Sequence, residues 1–262
     1  MSPLQVRNIT FGEGLPKICV PIACPDIEEL PGLIAEVRQA EPDAAELRAD
    51  WLGGYFTECS PDGKRYLRKE RVREVLGCVR EALRDTVLLF TWRTAAEGGT
   101  SPEADPFYAE ITEEAVSCGL IDMVDVEYKS PDRSCLAETA GNYGIPVIFS
   151  EHYFDKTPEE EYILSALEKM ALDGADIAKI AVMPFSKEDA GILMRAAKRA
   201  ASRIRIPIIA VAMGEYGKES RIRADLTGSC LTFGTAGNAS APGQIPAHEL
   251  RKLLLAFHKE FV

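Results

Sequence analysis

The sequence predicts an α/β fold: a (β/α)8 (TIM) barrel preceded by a short N-terminal β-hairpin, with residues 1–262 in a single domain. Three observations lead there. Eight short apolar segments recur from Lys17 onward. Segments of helical periodicity separate them, so strand and helix alternate over the roughly 250 residues that such a barrel takes. The turn after the first segment, Pro21-Ile22-Ala23-Cys24-Pro25-Asp26, lacks Gly-x-Gly-x-x-Gly, which argues against a doubly wound sheet.

Taken in order, Val6 to Phe11 alternates and runs into Gly12-Glu13-Gly14, which predicts the hairpin. The strands are expected at 18–23, 44–48, 87–91, 121–126, 147–149, 177–182, 208–212 and 230–233. Asp105-Pro106, Ser130-Pro131 and Thr157-Pro158 each place a capping side chain before a proline, a helix-start pattern, and Thr157 with Glu160 forms a candidate capping box. Apolar positions 72, 75, 76, 79 and 83 share a helix face, as do 163, 164, 167, 170 and 171. A last helix from Pro246 presents Leu250, Leu253, Leu254 and Phe257 on one side.

Composition narrows the function classes. With 46% hydrophobic and 27% charged residues, the chain can bury a sizeable core. A net charge of −11 and a pI near 4.9 argue against nucleic acid or an anionic membrane as partner. The apolar runs are strand-sized, and the N-terminus has no basic-then-apolar leader, so a cytoplasmic protein is expected. Seven cysteines without a Cys-x-x-Cys, and three histidines without metal spacing, predict reduced thiols, no structural metal and no cofactor.

Against this background one residue is out of place. Lys179 sits inside Asp176-Ile177-Ala178-Lys179-Ile180-Ala181-Val182-Met183-Pro184, a strand apolar enough to be covered on both faces. Alternation puts Ile177, Lys179 and Ala181 on one face and Ala178, Ile180 and Val182 on the other. The amine must therefore enter an interior or a pocket. Burial disfavours the ammonium form, and a neutral amine is a nucleophile for carbonyl carbon. A structural ion pair with a carboxylate is the plain alternative.

The C-terminal ends of barrel strands line one rim. Here they carry Glu46 and Arg48, Arg93 and Glu97, Asp125 and Glu127, Ser150, Glu151 and His152, then Lys179, then Met213 with Ser220 and Arg221. A long loop after the last strand contains Ala239-Ser240-Ala241-Pro242-Gly243-Gln244. Singly, each has a bland explanation: a Glu46–Arg48 salt bridge, a surface arginine, a hydrogen-bonded loop histidine, a mobile connection. Asp125 and Glu127 read as core polar groups with structural partners. Their convergence around one buried lysine outweighs the bland readings.

These residues resemble the type I 3-dehydroquinate dehydratase family. The similarity lies in Glu-Leu-Arg-Ala-Asp (46–50), Thr-Trp-Arg-Thr with Glu-Gly-Gly (91–99) and Asp-Val-Glu (125–127). It continues in Ser-Glu-His-Tyr-Phe with Thr-Pro (150–158), Asp-Ile-Ala-Lys-Ile-Ala-Val-Met-Pro (176–184), Met-Gly-x-x-Gly-x-x-Ser-Arg (213–221), and Thr-Phe-Gly followed by Ala-Ser-Ala-Pro-Gly-Gln (232–244). Two residues depart from the family pattern: Tyr153, where an acidic residue often follows the histidine, and Tyr128, where an aliphatic one is usual.

The resemblance implies a Schiff-base hydro-lyase of the shikimate pathway that takes 3-dehydroquinate and acts as a homodimer. Lys179 would form the imine, His152 with a pKa near neutrality would move the protons, and Glu97 would orient His152. Arg221 would bind the carboxylate, and Glu46, Arg48 and Arg93 the ring hydroxyls. Met213 and Phe154 would complete the substrate site, with Ser240 and Gln244 closing over it. Arg48, Arg93 and Arg221 would together favour the neutral amine by like-charge repulsion. No fused shikimate dehydrogenase domain is expected. A class I aldolase would want a phosphate cradle where this chain offers Arg221 and a Ser/Pro/Gln loop. A non-catalytic sensor would have no need of Lys179, His152 and Glu97 together.

Overall fold

The structure, a computed structural model, describes residues 2–237 and 245–259. A hairpin of β1 (Leu4–Val6) and β2 (Ile9–Phe11) leads into β3 (Lys17–Ile22) and β4 (Ala44–Arg48). A small side hairpin follows, β5 (Thr57–Cys59) with β6 (Arg65–Leu67). Then come β7 (Val87–Thr91), β8 (Met123–Glu127), β9 (Val147–Tyr153), β10 (Ile177–Val182), β11 (Ile208–Ala212) and β12 (Leu231–Thr235). The two-residue β13 (Ile245–Pro246) pairs with β12.

The expected eight strands form one curled parallel sheet in the order β11-β10-β9-β8-β7-β4-β3-β12. Its two edges meet where Ile208 bridges Ser229 and the Cys230 N–H donates to the Ile208 carbonyl at 2.8 Å. This is the α/β barrel class that the alternation predicts. Helices such as Lys69–Ala82, Glu160–Leu172 and Lys187–Arg203 pack outside, burying Val72, Leu76, Ile163, Leu167, Leu193 and Ala197. No helix among the described residues is long and apolar enough to cross a membrane.

The period-two alternation divides the core. On β10, Ala178, Ile180 and Val182 face the helix layer, while Ile177 and Ala181 join the interior cluster with Leu89, Met123, Ile148 and Ile209. Val6 and Phe11 belong to that interior cluster as well. The hairpin therefore plugs the N-terminal end of the barrel. Fully burying one such side chain stabilises by about 1.5–3 kcal/mol.

Local boundaries differ from expectation in ways that matter. Strand β9 runs to Tyr153, so His152 lies on a strand and not in a loop. The three proline-marked helices start at Tyr108, Arg133 and Glu160, two residues beyond the expected first position. Asp105 and Ser130 accept from the Phe107 and Asp132 amides, so they cap a turn that precedes each helix. The Thr157–Glu160 capping box does not form, because the Thr157 hydroxyl is buried without a partner.

Candidate active site

At the middle of β10 the chain holds Lys179 with its side chain 5% exposed. Its Nζ donates to Asp125 Oδ2 at 2.8 Å and stands 3.9 Å from Glu46 Oε1. The Phe233 ring lies 5.0 Å from the same nitrogen. Asp125 is the buried core carboxylate with structural partners that the sequence suggests, and it is also the direct partner of the amine. It also accepts from Arg93 at 2.6 Å and from Ser150 Oγ at 2.6 Å. Burial alone would raise its carboxyl pKa, but the Arg93 and Lys179 charges hold it far below the usual carboxylate range. The arginines therefore do not act on the amine alone, since Asp125 and Glu46 bring negative charge beside it.

Register places His152 opposite Ala181, so both lie on the interior face two positions beyond Lys179. The imidazole Nδ1 is 2.9 Å from Glu97 Oε2. Here the expectation of a near-neutral pKa fails. Burial, then the nearby Arg93 and Lys179 charges, push the imidazole well below its ordinary value. Burial likewise pushes Glu97 up to about 8, against the lowering effect of Arg93 and with the help of Glu127 and Asp125. The pair is a proton-sharing unit facing the pocket.

The loop that delivers Glu97 depends on two glycines. Gly98 has φ +77°, and a Cβ there would lie 2.2 Å from the Phe154 ring. A Cβ on Gly99 would fall 1.9 Å from the Arg93 carbonyl oxygen. Only glycines permit this turn. Thr94 fixes its start by donating its N–H and hydroxyl to Glu127 at 2.7 and 2.9 Å.

The arginines are differently committed. Arg93 is buried in a cage formed by Asp125, Glu97 and Glu127, with Ser150 at 3.1 Å. Arg48 pairs with Asp50 through two 2.8 Å bonds, while Glu46 accepts from Thr91 at 2.9 Å, so the simple Glu46–Arg48 bridge is not formed. Arg221, on the short helix Lys218–Ile222, has its pKa lowered to about 10 by burial.

One pocket at the C-terminal end of the barrel is lined, among the described residues, by Glu46, Arg48, Arg93, Glu97, His152, Phe154, Lys179, Met213 and Arg221. Every described candidate from the sequence thus converges on it. Ser240 and Gln244 lie outside the described residues. Sequence reasoning missed Pro21, Val211 and Phe233 in the same wall. The signal for Val211 and Phe233 was their inward parity at strand ends. No cluster of His, Cys, Asp and Glu able to hold a metal occurs among the described residues.

With the site in view, comparison with known proteins is informative. The family model for type I 3-dehydroquinase matches residues 18–260. A 3-dehydroquinate dehydratase of Listeria monocytogenes is 40% identical over the full length of both chains. The crystal structure of the 3-dehydroquinate dehydratase from Geobacillus kaustophilus superposes with a TM-score of 0.91 at 32% identity, covering 100% of this chain and 98% of that one. The type I enzyme from Clostridium difficile, solved with covalently modified comenic acid, gives 0.90 at 36% identity, covering 100% and 99%.

Proposed function

The chain belongs to the type I 3-dehydroquinase family, and from that premise we propose how its residues work. The reaction is the dehydration of 3-dehydroquinate to 3-dehydroshikimate, a hydro-lyase step of the shikimate pathway. The Lys179 nitrogen adds to the ketone carbon, and the carbonyl oxygen leaves as water with one hydrogen from the amine and one proton from solvent, which the final hydrolysis gives back. The resulting iminium withdraws electrons from the adjacent carbon, whose proton His152 takes through Nε2. The enamine electrons then expel the neighbouring hydroxyl, which leaves as water with the proton that His152 returns. Hydrolysis of the conjugated iminium releases product and restores the amine.

The observation that carries this reading is the amine of Lys179 on the pocket wall with Asp125 at 2.8 Å and His152 on the same interior face. Asp125, held anionic, matches the positive charge on nitrogen in the two iminium states, before the enamine forms and after the hydroxyl leaves. Glu97 accepts Nδ1–H and so aims the Nε2 lone pair at the substrate. Arg221 supplies the carboxylate fork, and Glu46 with Arg48 meets the ring hydroxyls. Arg93 shares that wall and gathers the carboxylates around it. Ser240 and Gln244 are retained as closing residues, and Met213 and Phe154 as apolar walls. The covalent ligand in the Clostridium difficile relative fits a site that bonds to its substrate. Residues 1–262 are read as one catalytic domain that assembles as a cytoplasmic homodimer, as the family implies; a solution mass of one chain would refute the dimer.

Borohydride added with 3-dehydroquinate is expected to fix ligand mass on the peptide that carries Lys179. Reduction that labels a different lysine, or none, overturns the assignment.

A further inference from the structure

Asp50 is a buried carboxylate to which the mechanism gives no task. It follows β4 by two residues, in the 3-10 turn Ala49–Leu52, and its side chain has no solvent exposure. Both its oxygens are engaged. Oδ1 and Oδ2 each accept from the Arg48 guanidinium at 2.8 Å, the two-point geometry that fixes an arginine in one plane. Oδ2 also accepts the backbone N–H of Thr100 at 3.1 Å and its hydroxyl at 3.2 Å.

Thr100 is three residues from Glu97 across the Gly98-Gly99 turn, and Gly-Gly has no side chain with which to hold its own shape. The turn is otherwise pinned at its base, by the Gly99 N–H to the Thr94 carbonyl at 2.8 Å and by Ala95 with Ser101 at 2.7 Å. One carboxylate thus ties an arginine of the pocket wall to the far side of the loop that presents the partner of His152. The three elements come from separate places: the end of β4, the loop after β7, and β9.

We propose that Asp50 is a positioning residue for both halves of the site, setting the plane of Arg48 for the substrate's hydroxyls and the seat of Glu97 for His152. The inference rests on the roles given above to Arg48, Glu97 and His152. A purely structural clamp is the competing account, and the two differ in what an amide at this position does. In Asp50→Asn the amide oxygen still accepts from Thr100, but the ionic two-point pair with Arg48 is lost. Asp50→Ala removes both.

The expected result for Asp50→Asn is a rise in KM of about tenfold or more with kcat within about threefold, the signature of lost ground-state contact. Asp50→Ala is expected to show the same KM rise and, in addition, a fall in kcat of about tenfold or more with a displaced pH profile. Borohydride trapping at saturating substrate should still label Lys179 in Asp50→Asn. An Asn variant with wild-type KM overturns the proposal, and this reading stands even where Asp50→Ala fails to fold. An Ala variant that folds with wild-type kcat and pH profile overturns its Glu97 half. Absence of any Lys179 adduct in the unaltered enzyme would instead remove the mechanism beneath it.

Discussion

The two ends of the barrel interior are built by the same rule and do opposite things. At the N-terminal end the inward positions are Ala44, Val87, Met123, Ile148, Ile177 and Leu231, sealed by Val6 and Phe11 of the hairpin. At the C-terminal end the inward positions two or four residues later are Glu46, Arg48, Asp125, Ser150, His152 and Lys179. Ile177 and Lys179 are separated by about 6.6 Å along one strand. The closed end gains stability by excluding water from apolar surface. The open end holds charges that burial alone would penalise, so each is paired: Lys179 with Asp125, Arg93 with three carboxylates, Arg48 with Asp50. The lesson is that alternation sets which side chains face inward, and height along the strand sets whether they pack or react.

The sharpest way to break the comparison is to truncate both residues of β10. Lys179→Ala is expected to lower turnover by about 10⁴-fold or more while the chain stays folded, because Arg93 and Ser150 still satisfy Asp125. Ile177→Ala, one layer below, should cost about 2–5 kcal/mol of stability and leave the turnover of folded molecules near normal. Denaturant melts and per-molecule rates read the two effects separately. A stability loss at Lys179 with preserved activity would invert the account.

A smaller effect concerns pH. Glu97 is pushed up to about 8, and the protonated pair places a hydrogen on the Nε2 that must act as base. Loss of that proton leaves Glu97 as the acceptor of Nδ1–H and frees Nε2. The active form is the deprotonated one, so kcat/KM should rise with pH through about 8. Glu97→Gln should remove that step and slow the reaction about 10–100-fold. A profile that falls across this range, or one unchanged by the substitution, contradicts the role given to Glu97.

Much of this was legible in the sequence, and the remainder was hidden for identifiable reasons. The strands were readable because each is a short apolar run bounded by turn residues, and Lys179 stood out because its neighbours on both sides are apolar. Its partner was not readable. Asp125 lies 54 positions away, and nothing in its local pattern says which strand its side chain faces across the barrel. Arg48 and Asp50 are adjacent in the motif, yet alternation pairs Arg48 with Glu46; only the 3-10 turn after β4 brings Asp50 back onto the guanidinium. His152 read as a loop residue because Ser150-Glu151-His152 is polar, whereas pairing with β10 extends the strand through it. The low pKa of His152 follows first from burial and then from Arg93 and Lys179, charges on other elements that sequence distance cannot place.

The claim at the centre is that Lys179 makes the bond and His152 moves the proton. Intact-mass spectrometry of His152→Ala, mixed with 3-dehydroquinate and reduced with borohydride, tests it most directly. The nucleophile and Arg221 remain, so the substrate imine should accumulate on Lys179 while turnover falls by about 10²–10⁴-fold. A His152→Ala enzyme with near-normal turnover, or with no trapped adduct, would contradict the division of labour.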